Sequence, residues 1–130
     1  MHNNTVAIRG NLAYDPFFDY LTNKRGETPF TRFALAVDRR PPRPAGPADH
    51  LLVVVYGNLA EHVHPYLRRG SEVAVTGWLR ARKGVNHHGE PMRVVEVVAE
   101  DVEFIRNINW EQGEAAIAGV ADAVVTEQEG

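Results

Sequence analysis

Trp78, Arg80 and Arg82 recur at every second position of Glu72–Lys83 (EVAVTGWLRARK). A strand there sets one ring and two guanidinium groups on a single face, opposite Val73, Val75, Leu79 and Ala81, which are expected to enter a core. A ring flanked by cations holds a flat π-system by stacking and an anion by charge. These are the two recognisable parts of an unpaired nucleotide, whose stacking on an aromatic side chain is worth about 1–3 kcal/mol per base. Further cations that could follow a phosphate chain are Arg32, on the polar side of an alternating segment, Arg39 and Arg40, which open a proline-rich stretch, and Lys83 and Arg93, beside a hairpin tip. Tyr56 adds a stacking ring, with Tyr20 and His50 as lesser candidates.

Other chemistries find no residues. The chain has no cysteine, which excludes disulfides, thiolate zinc sites and cysteine nucleophiles. His62 and His64 lie two apart, a spacing that does not share a helix face, and His87 and His88 are adjacent, so no metal site is expected. HExxH, GxSxG and phosphate-cradling glycine loops are absent, and neither catalysis nor a cofactor is expected. The net charge of −3 divides unevenly. Residues 107–130 carry Glu111, Glu114, Asp122, Glu127 and Glu129 and no Lys or Arg, so −5 resides there and +2 remains on residues 1–106. A mildly basic body with an acidic tail suits a nucleic-acid partner. No apolar run reaches the roughly 20 residues of a membrane span, and Met1–Thr5 does not open a secretory signal, so a cytoplasmic location is expected.

The elements that would position these groups are mostly strands. Val6–Leu12 is a short apolar run closed by Gly-Asn, and Pro29–Asp38 alternates, with Phe33, Leu35 and Val37 opposite Arg32, Ala34 and Ala36. Leu21–Thr28 between them reads as a connecting turn. Arg39–Asp49 holds four prolines and must be a loop, since proline cannot donate to a ladder. Leu51–Tyr56 is apolar on both faces. Asn58 is expected to cap a short helix reaching Leu67, kinked by Pro65 and ended near Gly70. After Glu72–Lys83 comes a mobile hairpin tip, Gly84–Glu90, and a returning strand, Met92–Ile105. Five strands with one short helix between the third and fourth predict an all-β, five-stranded Greek-key OB barrel over residues 1–106. A small sandwich, the alternative, does not explain the helix at that place. Residues 107–130 are expected to form an acidic, flexible tail. Ile117, Val120, Ala121 and Val124 would give Glu111–Thr126 a weak helical stripe, opposed by Gly113 and Gly119 at about 1 kcal/mol each.

Five blocks, in order, resemble the bacterial single-stranded DNA-binding protein family. They are Gly10-Asn11-Leu12 with Asp15-Pro16, Thr31–Ala36, Tyr56–Glu61, Tyr66–Ser71 leading into Val75–Leu79, and Glu96–Phe104, together spanning residues 4–105. The resemblance implies single-stranded DNA binding without sequence specificity, in replication, repair or recombination, by a homotetramer. It also marks departures. Positions where the family often has tryptophan correspond to Pro41 or its neighbour, His50 and Gly84, while Trp78 stands where a polar residue is usual. The family's acidic tip, ending in proline and phenylalanine and docking replication partners, is missing, because this chain ends Thr126-Glu127-Gln128-Glu129-Gly130. Weaker, more salt-dependent binding is therefore expected. A primosomal-type accessory protein, acting through protein contacts, is the alternative reading.

Overall fold

The computed structural model describes residues 3–40 and 46–129, with side chains up to residue 119. Six strands form one sheet: β1 (Val6–Leu12), β2 (Phe17–Asn23), β3 (Gly26–Val37), β4 (Asp49–Tyr56), β5 (Glu72–Val85) and β6 (Pro91–Arg106). Helix α1 (Gly57–Val63) and a 3-10 turn (His64–Tyr66) link β4 to β5, and helix α2 (Trp110–Glu129) follows β6. The strand order is β1-β5-β6-β4-β3-β2, and pairing of Asn11 with Ala36 and Leu12 with Leu35 joins β1 to β3. Five strands therefore close a ring, as the OB reading expects, and a parallel β4–β6 contact, Val53 with Val97 and Val54 with Val98, completes it.

The sixth strand corrects the sequence reading. Leu21–Thr28 is no connector: Phe17–Asn23 pairs along Gly26–Arg32, and only Lys24 and Arg25 turn. Gly26, at φ +114°, takes the left-handed conformation that this tight hairpin needs. Because β2 lies outside the ring, it has no fully buried face, so its sequence lacks the alternation that marks β3.

Inside the ring, Leu12, Phe33, Leu35, Val53, Val55, Val73, Val75, Val97 and Ala99 pack with Ala60, Val63, Tyr66 and Leu67 of the helical connection. Leu79 and Ala81 were expected there too, and both are exposed. Alternation continues along β5, but the β5–β6 hairpin extends beyond the barrel as an arm, where that face meets no opposing layer. At its tip Asn86 Oδ1 accepts hydrogen bonds from the His88 and Glu90 amides, each at 2.9 Å.

Helix α1 starts differently from expectation. Tyr56 occupies the N-cap position without a side-chain cap, and Gly57 at φ +71° swings the chain out of β4, so Asn58 is not the cap. Pro65 does not kink a helix that reaches Leu67: the α-helix stops at Val63, and Pro65 stands in the 3-10 turn that follows. His64 on that turn stacks on Phe18, with ring centres 3.7 Å apart. Burial holds its imidazole below the ordinary 6.5, partly opposed by the charge of Glu61. Between these values the unfolded chain binds a proton that the folded chain refuses, so stability is complete above the unfolded pKa and declines as pH falls below it. The denaturation midpoint is expected to drop between about pH 7.5 and 5.5, and His64→Gln to flatten that dependence; an equal slope in the variant would refute this origin.

Helix α2 follows the barrel and docks its first turn on it. Asn109 caps it, accepting from the Gln112 amide at 3.2 Å, while the Asn109 amide donates to Tyr66 O at 2.8 Å. Trp110 packs edge-on against Tyr66 and Phe104. A Cβ on Gly113 would lie 2.1 Å from the Tyr66 ring, so this glycine creates the seat. Among the described residues no helix is long and apolar enough to cross a membrane.

Candidate nucleic-acid interface

The outer face of the sheet carries a second, smaller cluster: Phe30, Val54 and Val98 are buried beneath half-buried Tyr56 and Trp78. Cross-strand register explains how distant residues meet there. Phe17 pairs with Arg32, Arg32 with Val54, Val54 with Val98, and Val98 with Trp78. One transverse row thus runs over five strands, with a ring at each end. Phe30, which is buried, lies 6.0 Å from Phe17 and 6.5 Å from Tyr56 between ring centres and supports those two rings from below. Guanidinium groups cover this cluster in part, Arg32 at 5.3 Å from the Phe30 ring centre and Arg80 at 5.2 Å from that of Tyr56.

Arg80 and Arg82 share the Trp78 face, as the spacing predicts, but they are not free cations. Both reach the buried carboxylate of Glu96: Arg80 Nη2 donates to Oε1 at 2.7 Å and Arg82 Nε to the same oxygen at 3.1 Å. Arg32 Nε stands 3.9 Å from Oε2. Hydrogen bonds to Tyr56 first and Glu96 second raise the Arg80 pKa further, so its charge is permanent. Three arginines around one carboxylate retain a net charge of +2 at the surface.

The remaining predicted residues scatter. His50 is exposed on the same face of β4 as Tyr56. Gly84 lies on the Trp78 face at the far end of the arm, roughly 20 Å along the strand, so Trp78 extends the aromatic surface elsewhere and does not substitute for a ring at position 84. Arg39 pairs with Asp49 at 3.0 Å, and Arg40 is exposed; Pro41 lies outside the described residues. Lys83 and Arg93 are direct cross-strand partners, but they project from the opposite face of the arm. Tyr20 also points away from the row, into a cleft with Phe18, His62, His64 and Ile117. Among the described residues, no group of three or more His, Asp or Glu is placed to hold a metal ion.

Phe17 and Glu96 were not singled out from the sequence as site residues. Phe17 follows Asp15-Pro16, yet only its register against Arg32 reveals the face it joins. Glu96 left a readable signal, an acid within the apolar run Val94–Ala99 that must be answered by cations if buried. Phe17 is 54% exposed, so its removal should leave the fold intact. Phe17→Ala is expected to weaken single-strand binding by about 1–3 kcal/mol without changing the melting temperature; unchanged affinity in a titration would remove Phe17 from the interface.

A model of the single-strand binding protein family matches residues 3–105, nearly the whole barrel. A single-stranded DNA-binding protein of Thermotoga maritima is 37% identical over 106 residues, covering 78% of this chain and 73% of that protein. Its counterpart in Caldanaerobacter subterraneus is 36% identical over 104 residues, 78% of this chain and 67% of the relative. One from Onion yellows phytoplasma is 31% identical over 106 residues, covering 82% of this chain and 97% of its own length. The matched span includes β1 through nearly all of β6 and excludes α2. By the family match and the identity of these relatives alike, the chain belongs to the single-strand binding protein family.

Proposed function

We propose that the protein binds single-stranded DNA along the outer face of its sheet, by stacking and phosphate contact and without sequence readout. The observation that carries this reading is the transverse row from Phe17 through Arg32 to Trp78, flanked by Tyr56, Arg80 and Arg82. Rings receive bases of any identity, and permanent cations between them receive phosphates. The function is one of holding, which protects exposed strands during replication, repair or recombination in the cytoplasm. The accessory-protein alternative gains no support from the relatives named above, each of which is named for single-stranded DNA binding.

The working form is a homotetramer. Two surfaces support self-association: β1 is paired along Val6–Asn11 with β5 but meets β3 only at Asn11 and Leu12, and Leu79 and Val95 expose apolar surface on the neighbouring arm. Light scattering should return four times the 14.5 kDa chain mass. For DNA binding, Trp110→Phe leaves Trp78 as sole tryptophan reporter, and an oligo(dT) 35-mer should quench it saturably, with affinity that falls as salt rises. No saturable binding at micromolar protein and low salt would defeat the proposal.

A further inference from the structure

Glu96 is completely buried on the outer side of the sheet, where its neighbours on the same face of β6, Val94 and Val98, are apolar. A carboxylate there carries a desolvation penalty of several kcal/mol that only opposite charge can offset. One arginine would neutralise it. Three converge instead, and the side chains of Arg32, Arg80 and Arg82 each remain 33–36% exposed. Their Nη groups not engaged by Glu96 or Tyr56 are therefore left to face solvent. An arginine on a free surface loses rotamer freedom when it grips a ligand; Arg80 and Arg82, hydrogen-bonded to Glu96, have surrendered much of it on folding.

We infer that Glu96 is a positioning residue, which fixes Arg80 and Arg82 by hydrogen bonds and holds Arg32 beside them by charge, so that the three form a receptor for two consecutive phosphates of the bound strand. The two phosphates match the net charge of +2 that the cluster retains. This inference rests on the single-stranded DNA reading above and adds to it the group that orders the interface. It also reverses the sign expected from charge alone. Glu96 has the same charge as the ligand, so simple electrostatics predicts that neutralising it tightens binding, whereas loss of positioning weakens it.

Glu96→Gln in the full chain tests the two against each other, using an oligo(dT) 35-mer over a salt series together with thermal melting. Affinity is expected to fall about tenfold despite the gain of one positive charge, as arginines that must be ordered on binding each oppose it. The slope of log affinity against log salt should shrink by about 0.7–1.4, the contribution of one or two single-strand phosphates. Equal or tighter binding, or an unchanged slope, overturns the inference. Should Glu96→Gln fail to fold, Glu96→Asp decides: it keeps the charge but draws the carboxylate back from Arg80 and Arg82, which it now meets at 2.7 and 3.1 Å. A comparable loss supports positioning, and wild-type affinity in Glu96→Asp refutes it. Failure of the wild-type protein to bind oligo(dT) at all would instead defeat the functional reading, so the two failures are distinguishable.

Discussion

Gly77→Ala is expected to destabilise the domain by about 3 kcal/mol or more, a large part of the roughly 5–15 kcal/mol that holds a domain of this size. A Cβ on Gly77 would stand 2.0 Å from Val98 O and 2.9 Å from Val98 C. The obstacle is backbone, so no side-chain rotation relieves it. The glycine sits where the β5–β6 ladder shifts register between Thr76 and Gly77. Moving β6 aside would also strain Val53–Val97 and Val54–Val98, the two rungs that complete the barrel. Gly119→Ala supplies the contrast, because a Cβ there meets nothing within 4 Å and should add up to about 1 kcal/mol of helix propensity. Denaturation midpoints followed by circular dichroism measure both. A wild-type midpoint for Gly77→Ala would contradict the close approach of the two strands.

The largest effect on binding is expected from Tyr56→Ala combined with Trp78→Ala. Removal of two stacking rings should lower affinity by roughly 2–6 kcal/mol, or about 30-fold to more than 10⁴-fold. The main core inside the ring, from Leu12 to Ile108, is separate from Phe30, Val54 and Val98, so the double variant should remain folded although less stable. Anisotropy of a labelled oligo(dT), with circular dichroism as control, reads the loss. Affinity within threefold of wild type would mean that DNA travels elsewhere on the molecule.

What the sequence made legible follows from how strongly each element is constrained. β3 buries one face in the barrel and β4 buries most of both, and their apolar patterns announced them; Val53, Val54 and Val55 are all fully buried. The pairing of Trp78 with Arg80 and Arg82 on one face needed only a period of two, and it holds. β2 was missed because a strand outside the ring is not required to hide either face. Leu79 and Ala81 misled because alternation tells which side a residue takes but not how far the opposite layer extends. Phe17 and Tyr20 were undecidable for a related reason: joining the row depends on register between strands far apart in sequence, and a shift of one residue reverses the face; Lys83 was not, since the same period of two sets it with Leu79 and Ala81, opposite Trp78. The ion cluster needed the same register, for nothing local says that Arg32 and Arg80 converge on Glu96.

Lys83 and Arg93 sit directly across the arm from each other, like charges held together by the ladder between them. That rung is under mild electrostatic tension, which mobile ions relax as readily as a polyanion does. Rising ionic strength therefore firms the distal arm while it would loosen the strand proposed to lie on the other face of the sheet, and the two responses of one molecule to the same solvent run in opposite directions.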